Sequence, residues 1–433
     1  MTRPWPLAEV GVPAINLHHL HAFERVAAAG GIRRSAQEMF RASSALTRSV
    51  AKLEQTLGTA LFERKGRGML ITAAGERVLV RARRIDTLLQ GVMDDAGAAG
   101  AATQATQATQ ATQAAMRQAL QHAGRLTAVS LLVDARHMPT VAAAMKLSQP
   151  AISASIAKVE AALRRPLFHR SAHGLLPTEH GERWTIAFRR VLAELRHMEA
   201  DLAALGGALE GVVNVGALPF ARTTLLPDAV VALHAMHPRL CTRTFEKTYQ
   251  ELCAGLLDGQ IDFIVGPVRV ARLAGLTIEV LFTQGLSLIA RAGHPLAAKR
   301  RLCAADLAGF PWALSRRGTP LREEVNGLFG ELGLPAPAPV VETADVAMLR
   351  CMLLRSDMLT ATYTLQLAHE VRAGTLVELA LPVHRTQRQI GITTREGAQL
   401  SPGAQTLLGE VRRQSQAIAR AAPLGRPATP PKR

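Results

Sequence analysis

The sequence predicts a chain of mixed class, α-rich over its front half and α/β over its back half, and three observations predict it. A shift of 106 residues lays 17–84 on 123–190 without a gap, so one small domain occurs twice. Positive charge gathers in those two copies. From Gly211 onward, short β-rich runs alternate with helical ones, the pattern of a parallel sheet with helices on both faces.

The totals set the frame. A chain of 433 residues holds two to four domains, and 48% apolar against 20% charged residues is a globular composition. Of the formal charge of +17, residues 17–84 supply 13 Lys/Arg against 5 Asp/Glu and residues 123–190 supply 10 against 4. Residues 209–420, by contrast, carry 22 against 18. A basic front and a near-neutral back suit a polyanion-binding head on a differently employed body.

The four cysteines, Cys241, Cys253, Cys303 and Cys351, are far apart and form no C-x-x-C, so they read as small buried hydrophobes in a reduced compartment. His18, His19 and His21 cluster without further residues at metal-ligand spacing, which predicts a solvated helix edge and no metal. The start, MTRPWPLAEV, lacks the apolar core of an export signal, and no run of 18 apolar residues occurs. A cytoplasmic protein without a membrane partner is expected.

The repeat is concentrated where structure is demanding. Leu61-Phe62 meets Leu167-Phe168, Arg64 meets Arg170, Thr72 meets Thr178, and Gly75-Glu76-Arg77 meets Gly181-Glu182-Arg183. In copy two, Leu126, Val129 and Val133 recur at helical spacing, and a short helix follows around 141–145. Ser148 then caps a third helix with Pro150 in its first turn, running through Leu163. Helix, tight turn and capped helix make a helix-turn-helix. Residues 167–170 and 174–176 add a two-stranded wing, and Thr178 opens a longer helix with Glu179 and Glu182 in its first turns.

On these residues the chain resembles the LysR family of transcription regulators. The stretch SQPAISASIAKVEAALRRPLFHR with PTEHGE after it is similar to that family's N-terminal signature, as is ASSALTRSVAKLEQTLGTALFERKGRGMLITAAGE in the first copy. The resemblance implies two winged helix-turn-helix domains, linker helices, and a two-lobed effector domain shaped like a periplasmic binding protein. It implies the start of each third helix in the major groove and a wing residue on the backbone or minor groove. Copy one offers Ser43, Ser44, Thr47, Arg48 and Lys52, with Arg64, Lys65 and Arg67 in its wing; copy two offers Gln149, Pro150, Ser153 and Lys158, with Arg170. Gln149 suits a bidentate contact to adenine. Ala154 and His173 stand where basic residues are usual, and copy one lacks the Gln-Pro entry. One copy therefore remains open as a degenerate unit that serves contacts or spacing.

The expected divisions are a first winged domain at 15–80, a linker at 81–121, a second winged domain at 122–186, and a dimerisation helix at 187–208. The effector domain occupies 209–420, with lobe 1 from 209–267 and 375–420 and lobe 2 from 268–374, and 421–433 is a disordered tail. Within the linker, Ala-Thr-Gln repeated over 102–113 has a period that fits no helical face and reads as an exposed connector. Residues 76–93 and 180–205 read as amphipathic helices.

In sheets of the back-half kind, ligands sit beyond the carboxyl ends of strands near helix N-termini. That places Pro219, Phe220, Arg222, Thr223 and Thr224 after the first strand, and Gly266 and Pro267 after a later one. Gly318 and Thr319 precede one helix of lobe 2 and Thr343 another. Helix-start amides and hydroxyls suit a carboxylate or a sugar hydroxyl, although any one threonine serves equally well as a plain N-cap. GALPFARTTLLPDAVVALHAMHP and RRGTPLRE resemble the subgroup controlling sugar and aromatic-acid catabolism. The chain has no G-x-S-x-G, Walker loop or H-E-x-x-H, so no cofactor and no enzyme is expected. Expected partners are double-stranded DNA, a small metabolite, a second copy or three more in a homo-oligomer, and RNA polymerase. The competing class is a solute-binding or enzymatic α/β protein with an unrelated basic front.

The charge distribution predicts DNA binding with a steep salt dependence, each lost phosphate contact lowering the log–log slope by roughly 0.9. Deleting residues 1–208 should leave a folded remainder without operator affinity, read by electrophoretic mobility shift. Retained affinity would place the DNA-binding surface in the back half.

Overall fold

A computed structural model describes residues 14–38, 42–65, 68–98, 106–172, 174–269, 273–299, 302–379 and 387–420. The chain divides into two compact units. One runs to Gly211 and includes Leu257–Gln260 and Leu400–Pro402; the other holds the rest.

In the first unit, α1 (Leu17–Ala28), α2 (Ile32–Glu38), α3 (Ser43–Leu57), β1 (Phe62–Lys65) and β2 (Gly68–Ile71) build copy one, and α4 (Ala73–Ala98) leaves it. Then α5 (Thr106–Leu120) leads into α6 (Ala123–Ala135), α7 (Met138–Met145), α8 (Gln149–Leu163), β3 (Phe168–Ser171), β4 (Gly174–Pro177) and α9 (Glu179–Leu205). Each wing is an antiparallel hairpin, pairing Phe62 with Ile71 and Phe168 with Pro177.

The repeated residues have repeated jobs. Glu54 Oε1 accepts the Leu61 and Phe62 amides at 2.8 and 3.2 Å, and Glu160 Oε1 accepts those of Leu167 and Phe168 at 2.7 and 3.3 Å. A buried amide without a partner is costly, so a carboxylate that satisfies two of them ties the third helix to the wing. Thr72 donates to Ala60 O at 2.8 Å and accepts from Gly75 N at 3.0 Å; Thr178 does the same with Pro166 O and Gly181 N at the same distances. Where α1 and α3 end in left-handed Gly30 and Gly58, the equivalent residues of copy two are Arg136 and Arg164, at φ of +55° and +54°. An L-residue held there stores about 1–3 kcal/mol of backbone strain.

The stretch 102–113, expected to be an exposed connector, is helical from Thr106 onward. Alanine and glutamine propagate a helix well. Met116 and Leu120 then supply the apolar anchorage that the triplets lack, both buried in the shared core. One hydrophobic cluster runs through both copies, from Ile15 to Met198. Its spine is two stripes at alternating spacings of four and three: Val78, Ala82, Ile85, Leu89, Val92 and Ala96 on α4, and Trp184, Phe188, Val191, Leu195 and Met198 on α9.

Between these helices lies a buried charge group. Arg81, 0% exposed, donates to Glu194 at 2.8 Å and to Asp201 at 2.7 Å, and Arg84 meets the other Glu194 oxygen at 2.7 Å. Burial opposes ionisation of Glu194, but the hydrogen bonds from Arg81 and Arg84 outweigh it and hold the carboxyl below its usual range.

The second unit is built on one long sheet. Its strands are β5 (Gly211–Ala217), β6 (Leu240–Phe245), β7 (Phe263–Pro267), β8 (Leu276–Arg291), β9 (Ala313–Leu314), β10 (Val341–Glu342), β11 (Thr360–Tyr363), β12 (Leu376–Leu379) and β13 (Gln387–Arg395). Its helices are α10 (Leu225–Met236), α11 (Tyr249–Leu257), α12 (Pro320–Glu331), α13 (Val346–Arg355), α14 (Ala368–Arg372) and α15 (Pro402–Arg420). The sheet order is β11-β8-β13-β7-β5-β6, with β12 also on β8 and the pair β9–β10 apart.

Three expectations change here. The sheet is mixed: β5 and β7 are parallel, but β13 runs antiparallel to both β7 and β8. Strand β8 is longer than its apolar run at 287–290 suggests, beginning at Leu276 with a first half that carries Glu279, Thr283 and Gln284. Strand β12, which the expected division at 375 assigns to lobe 1, pairs with Leu288–Arg291 of β8, because that long strand offers a free edge opposite β11. A lobe boundary at 375 therefore falls one strand early. Of the four cysteines only Cys253 is buried; Cys241, Cys303 and Cys351 are exposed, on strand β6, a loop and the outer side of α13. Among the described residues no helix is long and apolar enough to cross a membrane.

Arg81→Leu should cost about 3–5 kcal/mol, since it leaves buried Asp201 without its guanidinium and Glu194 with Arg84 alone. Glu194 is held below its ordinary value of 4.5, so its contribution is present above that pH and is lost as pH falls through its folded value. In the variant, protonation relieves the under-compensated Glu194, and the gap to wild type should narrow below about pH 4.5 in urea titrations.

Candidate nucleic-acid and effector interfaces

On α3, Ser43, Ser44, Arg48 and Lys52 are exposed and Thr47 half-buried, while Leu46, Ser49, Val50 and Leu53 face the core. Ser44, Arg48 and Lys52 fall at spacings of four and form one row. Thr47 Oγ1 donates to Ser43 O at 2.9 Å and Arg48 Nε to Ser44 O at 3.4 Å, leaving the rest of the guanidinium to solvent. His19 adjoins this row; burial, then His18 and Lys52, lowers its pKa and favours the neutral ring.

On α8, Gln149, Pro150, Ser153, Ala154 and Lys158 are exposed. Ser148 Oγ accepts from Ala151 N at 3.3 Å, whereas Ala42 gives α3 no side-chain cap. The helix with the Gln-Pro entry is thus the better-anchored one, and the helix with Arg48 the more cationic. Arg125, which with burial lowers the pKa of neighbouring His122, was invisible to a reading centred on the third helix. In the wings, Arg170 is exposed on β3. Arg64 and Lys65 lie on β1; Arg67, His173 and the tail 421–433 lie outside the described residues.

In the second unit the expected effector segments form two groups. Pro219, Phe220 and Arg222 sit in a 3-10 turn after β5, and Leu218 N donates to Val265 O at 3.1 Å, which sets that turn beside Gly266 and Pro267. Gly266 has φ +152°, and a Cβ there would fall 2.6 Å from Leu218 Cβ, so the close approach requires glycine. Gly318 and Thr319 open α12, and Thr343 follows β10; Thr343 N donates to Leu314 O at 2.9 Å, so both turns share one end of the β9–β10 pair.

The 3-10 turn at 364–367 joins the groups. Thr223 and Thr224 both donate to Leu365 O, at 3.3 and 3.0 Å, and Thr224 is buried with its hydroxyl so used. Phe220 packs edge-on against Tyr363, with centroids 5.8 Å apart, and the Tyr363 hydroxyl donates to Glu324 on α12 at 2.8 Å. Thr319 Oγ1 accepts from Arg322 N at 3.4 Å and donates to Arg316 O at 2.7 Å. Sequence reasoning missed Ser315, whose buried hydroxyl has no partner among the described residues, and the chain Thr364–Ser287–Glu378, whose polar residues are hidden in an apolar turn and two apolar strands.

The model described as bacterial regulatory helix-turn-helix protein, lysR family, matches twice, at residues 17–76 and 124–182, and the LysR substrate binding domain matches residues 206–416. The chain is also 39% identical over 404 residues to the HTH-type transcriptional regulator GalR of Pseudomonas putida, covering 93% of this chain and 98% of that one. It belongs to the LysR family of transcription regulators. A second relative, the uncharacterized regulator YdcI of Escherichia coli, is 29% identical over 62% of this chain and 88% of its own. The fold matches a full-length OxyR variant of Pseudomonas aeruginosa (TM-score 0.51, 20% identity, 67% of this chain and 96% of that one) and CbnR (TM-score 0.50, 22% identity, 67% and 98%). Those structures are matched nearly whole, yet a third of this LysR regulator has no counterpart in them. The regulator is a DNA-binding transcription factor with an effector-binding domain.

The two copies can be disabled separately. A Cβ on Gly75 would lie 2.2 Å from Leu61 O, and one on Gly181 equally close to Leu167 O. Gly75→Ala and Gly181→Ala should each cost about 1–3 kcal/mol or more, because the obstacle is backbone. Hydrogen exchange should show the loss in the substituted copy's wing first.

Proposed function

We propose that the regulator reads DNA with both winged copies and that its back half takes up a small polar or anionic metabolite, with no chemistry done on it. The observation that supports double reading is that both third helices present polar side chains at their starts, Ser43, Ser44 and Arg48 exposed in one and Gln149 and Ser153 in the other, with Ser43 and Gln149 at equivalent positions and Thr47 and Ser153 likewise. In this reading Lys52, Lys158, Arg64, Lys65, Arg67 and Arg170 meet phosphates, and Arg48 and Gln149 meet bases. The domain divisions follow the repeat, and cytoplasmic placement, a homo-oligomer and contact with RNA polymerase belong to the same reading.

For the effector, the support is the pair of helix starts at Thr224 and Thr319, whose amides carry partial positive charge, together with the Ser315 hydroxyl, which has no partner among the described residues. The Thr223 and Thr224 hydroxyls, donated to Leu365, act as positioning groups, which leaves Pro219, Phe220, Arg222, Gly266, Pro267, Gly318, Thr319 and Thr343 to line the site.

Sugars, sugar acids and aromatic acids should be screened by thermal shift, because a ligand of the folded state raises its melting temperature. Thr319→Leu should lower the unliganded melting temperature slightly, through the lost cap, and erase the ligand-induced rise. An undiminished rise in that variant would move the site elsewhere.

A further inference from the structure

We propose that a single chain carries a complete two-headed DNA reader: α4 and α9 pair as the halves of an internal pseudo-dimer, so that α3 and α8 address two unlike, inverted half-sites of one operator. This rests on the reading that both copies bind DNA.

The pairing follows the internal repeat. Asp95 and Asp201 occupy the same position in the two copies, 106 residues apart. Asp95 accepts from Arg183 at 2.7 Å and from the Trp184 indole at 2.6 Å; Asp201 accepts from Arg81 at 2.7 Å. The late part of each helix therefore lies against the early part of the other. That approximates the reciprocal pattern of a two-fold contact, displaced by about one helical turn, since the counterparts of Arg183 and Trp184 are Arg77 and Val78 whereas Asp201 meets Arg81. The apolar stripes obey the same relation: Val78, Ala82, Ile85, Leu89 and Val92 are the counterparts of Trp184, Phe188, Val191, Leu195 and Met198, and all are buried. Spacings of three and four on both helices make a seam for antiparallel packing.

The charges then decide which helices pair. The counterpart of Arg81 is Ala187, and that of Glu194 is Leu88. Two α4 helices brought together this way would set buried Arg81 against Leu88; two α9 helices would set Glu194 against Ala187. In the first, Arg81 would keep only Asp95, the counterpart of Asp201; in the second, Asp201 would face Ala187. The mixed pair satisfies Arg81, Glu194 and Asp201 together. Because one chain always contains both members, the DNA-reading pair needs no second chain. A two-fold relation between the copies inverts α3 relative to α8. Paired recognition helices of this kind read half-sites about one helical turn, roughly 34–36 Å, or multiples of it apart. The half-sites differ because Arg48 in one helix stands at the place of Ala154 in the other.

The test uses the full chain and an operator duplex recovered by genome-wide footprinting. Titrated into duplex well above the dissociation constant, the protein should saturate at one chain per pair of half-sites, whatever its oligomeric state. Arg48→Ala should strip protection from one half-site and weaken binding about 5- to 150-fold; Gln149→Ala should do so at the other. Saturation at two chains per duplex, or Arg48→Ala weakening both half-sites alike, would overturn the internal pairing. If neither substitution changes affinity at intact binding, the assignment of α3 and α8 as readers fails and the proposal with it, whatever the stoichiometry.

Discussion

The front unit depends on the buried meeting of Arg81 with Glu194 and Asp201. A guanidinium removed from water is tolerable only where carboxylates surround it, and these come from a helix more than a hundred residues away. The apolar stripes supply the adhesion and the charges supply the register, since sliding either helix by one turn would separate the ions. Through α4 and α9 this constraint also reaches the third helices, because α1 and the wing of copy one pack on α4, α6 and the wing of copy two pack on α9, and α3 and α8 pack in turn on α1 and α6.

Much of this architecture was legible in the sequence. The ungapped repeat announced one domain present twice, and the matched residues proved to be those with demanding local duties: Glu54 and Glu160 holding wing amides, Thr72 and Thr178 capping, Gly75 and Gly181 under a carbonyl. What stayed hidden was non-local. The Ala-Thr-Gln triplets contain no apolar face, and only the distant core that receives Met116 and Leu120 explains why the segment is helical. Arg81 reads as one more surface cation, because its partners lie far along the chain. In the back half, β8 was truncated by the polar residues of its first half, and the destination of β12 was set by an open edge that no local pattern encodes. The candidate effector residues were found at helix starts, but the hydroxyls of Thr223 and Thr224 turned out to be spent on a backbone carbonyl.

The copies have diverged at their tips and stayed alike in their frames. Copy two has the better-capped third helix and copy one the glycines in left-handed positions that copy two fills with Arg136 and Arg164. Each copy thus has a local defect that the other lacks, and a shared hydrophobic cluster spreads the cost of both.

Joining the two copies by α5 has a consequence for dilution. When two separate chains must meet before they can grip a duplex, the grip fades as the square of their scarcity. When the partners are tethered within one polypeptide, their encounter is first-order, and its strength is set by the tether and not by abundance. Over Thr106–Leu120 the tether is the helix α5, anchored in the core by Met116 and Leu120. If the two copies pair as proposed, a regulator so built would keep its DNA-reading head assembled at a handful of molecules per cell.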